Sequence, residues 1–356
     1  MEKLVIGIPA RNEAATVAQL ADTLEAAAAL FGEGIRSELV LAYQPGEDDT
    51  LERWHSRHFQ LPHRVLYGPE GVSGKGRNVK QLILYTREAG AHLLLVDADL
   101  KFDRPSDVAQ FVGTDRLSRG GMTLPLWCRP RGQGNSTDFF ACPLLYAMFG
   151  ARIRHPLAGQ MILANKMLET IEVDALPDDY GIDVALTIQA LNEGLAIDQV
   201  VVPFPGHEAG GNSGRIMENV ANAMLAFLAP GVESRRTDVD WPHEWWEGQT
   251  IPAPSARSLR GLIDQLVSDQ LVSNDQHGQL TAMLNASPAE VRDFWCDHLA
   301  GAAVGAQAGQ PIDLLVSNLV GPFLVHAEYR RLVELDFAGA EAYVADLGAA
   351  LADALS

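Results

Sequence analysis

An apolar run meets two carboxylates in the stretch Leu93-Leu94-Leu95-Val96-Asp97-Ala98-Asp99-Leu100. Aliphatic residues in such a run are typical of a strand that is buried on both faces. Because alternate residues of a strand point the same way, we expect Asp97 and Asp99 to project together beyond the strand's end. Two hard oxygen ligands at that point suit a divalent cation that also holds phosphate oxygens. The stretch predicts a strand that ends in a metal site, with a solvated strand end as the alternative.

Strands and helices alternate around this stretch. Apolar runs predict further strands at Leu4–Ile8, Glu38–Tyr43, Arg64–Tyr67, Met122–Trp127 and Val200–Phe204. Asn12 is a good N-cap for a helix that continues to about Ala28. This alternation indicates an α/β domain with a largely parallel sheet. Such sheets bind ligands at the carboxyl ends of their strands, which is the edge where Asp97 lies.

The composition of the chain changes near Arg215. Beyond this residue the sequence is rich in Ala and Leu and has the pattern of helices. We therefore expect an α/β domain in residues 1–214 and a helical region in residues 215–356. The helical region is a candidate either for closing the site or for building a homodimer. Its tryptophans, Trp241, Trp245 and Trp246, are interpreted as core or domain-contact residues.

The overall composition limits the classes of partner. The chain has 356 residues, 47% of them hydrophobic, and a formal net charge of −19. This charge argues against nucleic acid and anionic membranes as main partners, but a phosphorylated substrate stays compatible because local cations can bind it. The three cysteines are widely spaced, which fits neither a zinc site nor a disulfide framework. With no signal-peptide pattern and no run of about 20 apolar residues, the expected location is the cytoplasm, without stable membrane association.

Lys75 lies in the glycine-rich segment 71–76, at the expected start of a helix. Backbone amides and the helix dipole favour anions at such a position, and a lysine adds a point charge. The segment is not a P-loop, because Pro69 stands where the first glycine would be and Gly76 replaces the required Ser or Thr. Lys75 is a candidate phosphate ligand, and an exposed turn lysine is the alternative.

Two further residues lie in a context that suits chemistry. His207 follows an apolar strand within a glycine-rich turn, where a neutral imidazole could complete a metal shell begun by Asp99. A lone histidine is otherwise more often structural or exposed. Asp183 lies at the start of a helix that continues to Leu191. An acidic side chain there either takes part in chemistry or stabilises the helix dipole.

Arg129 and Arg131 flank Pro130, directly after the predicted strand that ends at Trp127. Guanidinium groups in this arrangement could bind a carboxylate or a phosphate with two hydrogen bonds each. The nearby Thr137 is a candidate hydroxyl donor. A solvated basic loop is the alternative interpretation.

Several segments, taken in order, resemble one superfamily. Pro9–Glu13 resembles the first-strand signature of nucleotide-sugar-dependent glycosyltransferases of the GT-A fold, and Asp97-Ala98-Asp99 resembles their metal-binding Asp-x-Asp motif. The ordered segments Gly74–Asn78, Val96–Asp99, Tyr180–Asp183 and Gly206-His207 are similar to those of mannosylglycerate synthase and the glucosyl-3-phosphoglycerate synthases. The resemblance covers about residues 3–230.

This resemblance implies a role for each matching residue. The nucleotide would lie against Pro9, Ala10, Arg11, Asn12, Glu13 and Tyr43. Lys75 would contact the donor phosphates, and Asp97 with Ala98 would face the ribose or the water shell of the metal. Asp99 and His207 would bind Mg²⁺ or Mn²⁺, with Asp97 beside them. Asp183 would lie next to the reacting centre.

The chain departs from the family pattern at three places. Gly159, a candidate substrate-binding residue, belongs to a stretch that usually reads Gly-Glu, whereas Gln160 follows it here. The turn after Tyr43 lacks the usual Asp-x-Ser, so the sequence does not indicate which base is bound. Glu208 follows His207 where relatives tend to carry a basic residue, which weakens the case for a phosphorylated acceptor.

The resemblance implies a metal-dependent, retaining glycosyltransferase. It would move a hexose from a nucleoside-diphosphate sugar to a small hydroxy acid such as D-glycerate or 3-phosphoglycerate, whose carboxylate Arg129 and Arg131 would bind. A sugar-phosphate nucleotidyltransferase should instead carry a glycine-rich Arg/Lys loop after the first strand, and Pro9–Glu13 is not such a loop. A catalytically silent nucleotide-sugar-binding protein stays open as the second alternative. A dehydrogenase is excluded, because no Gly-x-Gly-x-x-Gly segment follows a predicted strand.

Overall fold

The chain forms two compact units. The computed structural model describes residues 1–71, 74–127, 134–206, 213–228, 259–268, 272–332 and 337–354. The first unit consists of Met1–Cys128 and His155–Gly210, and the second of Arg129–Arg154 and Gly211–Ser356. Residues 129–154 therefore group with the helical part of the chain, whereas the sequence-based division placed them within 1–214.

One seven-stranded sheet forms the centre of the first unit. Its strands are β1 (Glu2–Ala10), β2 (Ile35–Tyr43), β3 (His63–Tyr67), β4 (His92–Val96), β5 (Met122–Leu126), β6 (Gln160–Leu163) and β7 (Ile197–Val201). Their order across the sheet is β3-β2-β1-β4-β6-β5-β7. β6 runs antiparallel to both neighbours and the other pairings are parallel. The sheet is thus mixed.

Helices of the first unit cover both faces of this sheet. They are α1 (Val17–Ala28), α2 (Thr50–His55), α3 (Lys75–Glu88), α4 (Pro105–Ala109), α5 (Thr114–Arg119), α7 (Asn165–Thr170) and α8 (Ile182–Asn192), with a 3₁₀ turn at Val173–Ala175. On one face, Leu20 and Leu24 of α1 share a buried cluster with Ile6 and Ile8 of β1. On the other, α3 comes so close that a Cβ at Gly7 would lie 3.0 Å from a methyl group of Leu82.

The strand that leads to the acidic pair is buried along its whole length. Every residue of β4 is buried, as the run Leu93–Val96 predicts. β4 lies in the middle of the sheet, between β1 and β6. Its carboxyl end therefore opens at the same edge as the carboxyl ends of β1, β2 and β3, which run parallel to it.

The prediction that Asn12 caps the first helix is wrong. α1 begins only at Val17, after Thr16, and Asn12 itself has a φ of 60°. Asparagine tolerates this left-handed conformation better than most residues because its short side chain bonds locally. Here the side chain instead reaches across to the next turn, where Oδ1 accepts a hydrogen bond from the backbone N–H of Glu47 at 2.7 Å.

The last strand begins and ends earlier than the predicted Val200–Phe204. β7 extends from Ile197 to Val201 and pairs only with β5, at the sheet's edge. An edge strand tolerates polar residues such as Asp198 and Gln199, which interrupt the apolar pattern. That pattern therefore identified only the second part of the strand.

The second unit is helical in its described residues. Its elements are a π-helical segment (Thr137–Ala141), α6 (Cys142–Phe149), α9 (Ser213–Ala226), α10 (Leu259–Ser268), α11 (Asn274–Ala282), a 3₁₀ turn (Met283–Asn285), α12 (Pro288–Gln307), α13 (Ile312–Leu332) and α14 (Phe337–Ala354). Trp295 of α12 is fully buried and donates its indole N–H to the carbonyl of Phe139 at 2.7 Å. None of the helices described here is long and apolar enough to cross a membrane.

Candidate active site

Asp97 is held at the end of β4 by the neighbouring strand. Its backbone N–H donates to the carbonyl of Gly159 at 2.7 Å, which continues the β4–β6 pairing by one residue. A Cβ at position 159 would lie 2.3 Å from Oδ2 of Asp97. Glycine is therefore required at position 159 for Asp97 to keep this orientation.

Lys75 connects two carboxylates that are far apart in sequence. Its Nζ lies 2.8 Å from Oδ2 of Asp97 and 2.7 Å from Oδ2 of Asp183. Lys75 is the first residue of α3, and Asp183 lies in the first turn of α8. The side chains of Lys75 and Asp183 are 11% and 6% exposed, and that of Asp97 is 26% exposed. Three of the predicted site residues thus form one buried chain of hydrogen-bonded charges.

The ionisation of this group follows from its burial and its charges. Burial alone would lower the pKa of Lys75, but the carboxylates of Asp183 and Asp97 raise it well above its usual range. The pKa of Asp183 is raised to about 6, chiefly by burial and also by Asp97, while Lys75 acts to lower it. Near neutral pH we therefore expect Lys75 to be charged and Asp183 to be largely ionised.

The turn after β1 is tied to the turn after β2. The backbone N–H of Glu13 donates to the hydroxyl of Thr50 at 2.7 Å, and that of Ala14 donates to Asp48 Oδ2 at 2.9 Å. Asp48 in turn accepts from the hydroxyl of Thr50. Together with the bond from Glu47 to Asn12, these contacts make the two turns one connected rim at the carboxyl edge of the sheet.

The carboxyl group of Glu13 lies within electrostatic range of the acidic pair. The pKa of Glu13 is raised to about 7 by burial and by the charges of Asp99 and Asp97, against a hydrogen bond from Thr16. The phenol of Tyr180, a residue that is 49% exposed, also has a raised pKa through burial and the same acidic residues. Glu13, Asp97, Asp99 and Tyr180 therefore lie within electrostatic range of one another.

Oxygen donors and excess negative charge at this edge fit a divalent cation. Asp97 and Asp183 bind the ammonium of Lys75, and the charges of Asp99 and Asp97 act on the partly protonated Glu13. Within the described part of the chain, no three Asp, Glu, His or Cys side chains converge closely enough to hold a metal by themselves. Mg²⁺ is commonly bound by one or two carboxylates together with substrate phosphates.

The predicted metal ligand His207 lies outside the described residues, as do Arg129 and Arg131. The residue before His207 is described. Gly206 forms two backbone hydrogen bonds with Lys101, at 2.6 and 2.9 Å. The chain thus returns to the segment that follows Asp99 immediately before the predicted histidine.

The remaining predicted residues take several positions. Pro9 and Ala10 end β1, and Ala98 is buried between the two acidic residues. Tyr43 ends β2, where its carbonyl accepts from Gly68 and its ring contacts that of Tyr67 edge-on. Arg11 is exposed. Thr137 is buried in the π-helical segment of the second unit.

Sequence reasoning missed residues that act through ion pairs. Asp178 accepts from Lys80 and pairs with Arg77, both at 2.7 Å. Arg77 lies in the segment Gly74–Asn78, but Lys80 and Asp178 belong to no recognisable motif, and helix-surface charges are usually solvated. The only available signal was the position of Asp178 in the segment that leads to Asp183.

Solved structures of one enzyme share the fold of this chain. One is glucosyl-3-phosphoglycerate synthase from Mycobacterium tuberculosis in complex with Mn²⁺, uridine-diphosphate-glucose and phosphoglyceric acid. It is 22% identical, with a TM-score of 0.52, over 63% of this chain and 79% of that chain. Another, the same enzyme with Mg²⁺ and uridine diphosphate, is 20% identical, with a TM-score of 0.51 and the same coverage. No protein-family model and no curated protein matches the chain.

At these identities the likeness concerns the fold. The strand order, the single antiparallel strand β6 and the acidic residues at the end of β4 belong to the same unit of the chain. The chain therefore has the GT-A fold, the fold of glucosyl-3-phosphoglycerate synthase, as its sequence predicts.

Proposed function

We propose that this protein is a metal-dependent, retaining glycosyltransferase. It moves a hexose from a nucleoside-diphosphate sugar to a small hydroxy acid such as D-glycerate or 3-phosphoglycerate. The observation that carries the proposal is the chain Asp97–Lys75–Asp183, with bonds of 2.8 and 2.7 Å, at the ligand-binding edge of a GT-A sheet. A buried ammonium held by two acids beside further carboxylates is a costly arrangement, and such arrangements concentrate at functional sites.

In this proposal Lys75 stabilises the diphosphate leaving group. Cleavage of the sugar–phosphate bond leaves negative charge on the diphosphate, and a preorganised cation stabilises that charge most where water is excluded. Lys75 is protonated and nearly buried, so no side-chain ordering has to accompany the reaction. Asp183 orients the acceptor hydroxyl or stabilises the positive charge that develops on the sugar, and it is not assigned as a covalent nucleophile.

Asp99 and His207 would hold the cation, with Asp97 beside them. A bound Mg²⁺ or Mn²⁺ would neutralise the diphosphate and act as a Lewis acid on the leaving group. The residues of this edge support the assignment, because Asp97 and Asp183 lie at Lys75 and the charges of Asp99 and Asp97 raise the pKa of Glu13. A doubly charged diphosphate would be repelled from this edge without a further cation.

The substrates are proposed from the resemblance and from the solved neighbours. Those neighbours were crystallised with uridine-diphosphate-glucose and phosphoglyceric acid and with uridine diphosphate, so this pair is the first to test. Arg129 and Arg131 are the candidate ligands of the acceptor carboxylate. Glu208, where relatives tend to carry a basic residue, weakens the case for a phosphorylated acceptor, so D-glycerate is tested beside it.

Release of nucleoside diphosphate tests the proposal. UDP-glucose, GDP-glucose, ADP-glucose and GDP-mannose are each mixed with D-glycerate, D-3-phosphoglycerate or no acceptor, with Mg²⁺, Mn²⁺ or a chelator. We expect release that requires one donor, one acceptor and the metal, and an anomeric proton signal showing that the product keeps the donor's configuration. Release without acceptor dependence would discard the hydroxy acid, and donor binding without release would leave a silent binding protein.

A further inference from the structure

The segment from Pro177 to Asp183 contacts the N-terminal part of α3 through ion pairs and a backbone hydrogen bond. Both carboxylate oxygens of Asp178 are engaged, Oδ1 by Lys80 and Oδ2 by Arg77, each at 2.7 Å. The backbone carbonyl of Asp178 also accepts from the N–H of Arg77 at 3.3 Å. One acidic residue thus makes three contacts with the helix whose first residue is Lys75.

The two glycines that flank Lys75 permit this contact. A Cβ at Gly74 would lie 2.0 Å from the carbonyl oxygen of Asp178, and one at Gly76 would lie 2.2 Å from that of Pro177. Gly74 also has a φ of 155°. Backbone atoms cannot give way as the end of a flexible side chain can, so any larger residue would push the two segments apart. The glycines around Lys75, expected from the sequence to accommodate phosphate, here accommodate the backbone of residues 177–178.

The contact has a direct consequence for the site. Asp178 is five residues before Asp183 and three after Ala175, where a 3₁₀ turn ends. Lys75 lies at the other side of the same contact, between the two glycines. The 2.7 Å bond from Lys75 to Asp183 therefore spans two segments whose separation is set by Asp178.

We propose that Asp178 is a positioning residue of the transfer reaction. Through Arg77 and Lys80 it sets the distance between Lys75 and Asp183, without touching either substrate. This inference rests on the proposed function for its kinetic consequence, but its structural consequence can be measured without any substrate. A displacement of about 1 Å in such a pair is enough to lower a turnover number by one to two orders of magnitude.

The first experiment measures how accessible the amine of Lys75 is in the full chain. Asp178→Asn keeps the shape of the side chain and removes its charge, and its partial exposure makes misfolding a small risk. Asp198→Asn is the matched control, because Asp198 on β7 makes an ion pair of 2.6 Å with Arg119 of α5. We expect acetylation of Lys75 by a water-soluble activated ester, followed by mass spectrometry, to be several-fold faster in Asp178→Asn only.

The second experiment separates positioning from mere stability. We expect the kcat of Asp178→Asn to fall about tenfold, with KM values for donor and acceptor changed less than threefold and a melting temperature equal to that of Asp198→Asn. Equal kcat values in the two variants, or equal rates of Lys75 acetylation, would overturn the positioning role. If the wild-type protein transfers no sugar, the acetylation result alone still decides whether Asp178 sets the Lys75–Asp183 distance, and the failure belongs to the proposed function.

Discussion

Asp99 is the residue on which the metal assignment depends most. It belongs to the acidic pair at the end of β4, and its charge raises the pKa of Glu13. Asp97 Oδ2 is engaged by Lys75, whereas Asp99 is the acid that the resemblance pairs with His207. We therefore expect substitution of Asp99 to reduce metal binding more than substitution of Asp97.

We expect Asp99→Ala to abolish metal-dependent turnover while the protein stays folded. Without Asp99 the cation would no longer be held beside the leaving diphosphate. Loss of one electrostatic contact to a developing negative charge costs about a hundredfold or more in kcat. Calorimetric titration with Mn²⁺ and uridine diphosphate measures the binding, and diphosphate release measures the rate. The matched control is Asp103→Ala, which removes an exposed acid from the same segment. Metal-dependent activity within twofold of wild type in Asp99→Ala would refute the metal assignment.

Gly159 offers a second test at the level of one atom. In Gly159→Ala the new Cβ would lie 2.3 Å from Oδ2 of Asp97, so Asp97 must turn away and lose its bond to Lys75. We expect kcat to fall about tenfold or more and the free energy of unfolding to fall by about 1–3 kcal/mol. Diphosphate release and urea denaturation measure the two effects.

The control for this variant is Gly301→Ala, because no atom lies within 4 Å of the Cβ it would add to α12. It should leave kcat unchanged and leave stability equal or slightly improved. If Gly159→Ala behaves in the same way, Asp97 is free to move and the close packing at position 159 is irrelevant to the reaction.

Local sequence patterns predicted the buried strands and helices well, but they predicted strand direction and long-range contacts poorly. β4 is buried throughout, as its aliphatic run requires. α3 presents Val79, Leu82 and Ile83 to the core, following its apolar periodicity. These elements could be predicted because burial alone dictates their residue types.

The elements that were missed depend on partners elsewhere in the chain. Nothing local to Gln160–Leu163 says that β6 enters the sheet antiparallel between β4 and β5, because strand direction follows from the path of the intervening chain. Likewise, Asn12 has the residue type of a helix cap but uses its side chain on Glu47, 35 residues away. The site residues were predicted from motifs, whereas Asp178 acts through ion pairs that no motif records.

The connection between the first two turns can be tested at Asn12. Asn12→Gly keeps the left-handed backbone, with its φ of 60°, and loses the hydrogen bond to Glu47. Asn12→Ala loses the bond and also strains the backbone. We expect Asn12→Gly to lower the free energy of unfolding by about 0.5–1.5 kcal/mol, and Asn12→Ala to lower it by about 1 kcal/mol more. Guanidinium denaturation measures both, and equal stabilities of the two variants would show that the backbone carries no strain.

The acidity of the whole molecule makes its stability depend on pH in a definite direction. The formal net charge is −19, and folding brings several of these charges together at the edge of one sheet. The pKa of Glu13 reflects this concentration of negative charge, because it is raised by burial and then by the charges of Asp99 and Asp97. A carboxyl group with a raised pKa is neutral in the folded protein over a range where it is charged in the unfolded chain.

The folded state therefore binds more protons than the unfolded state in this range, and its stability falls as the pH rises through it. For Glu13 the range extends from the ordinary value of 4.5 to about 7. Below pH 4.5 the contribution is fully favourable, and above pH 7 it is lost. Other groups titrate in the same range, including Asp183, whose pKa is raised to about 6, so the contribution of Glu13 has to be isolated by comparison.

The Glu13→Gln variant isolates the contribution of Glu13 to the pH dependence of stability, because glutamine stays neutral at every pH and keeps nearly the same shape. We expect the melting temperature of the wild-type protein, relative to that of Glu13→Gln, to decrease steadily between pH 5 and pH 8 in the presence of a metal chelator. Added Mg²⁺ with uridine diphosphate should weaken this trend, since a bound cation would favour the ionised carboxylates. A difference between the two proteins that stays constant with pH would mean that Glu13 does not share the negative charge of Asp97 and Asp99, and that the site is less crowded with charge than its geometry implies.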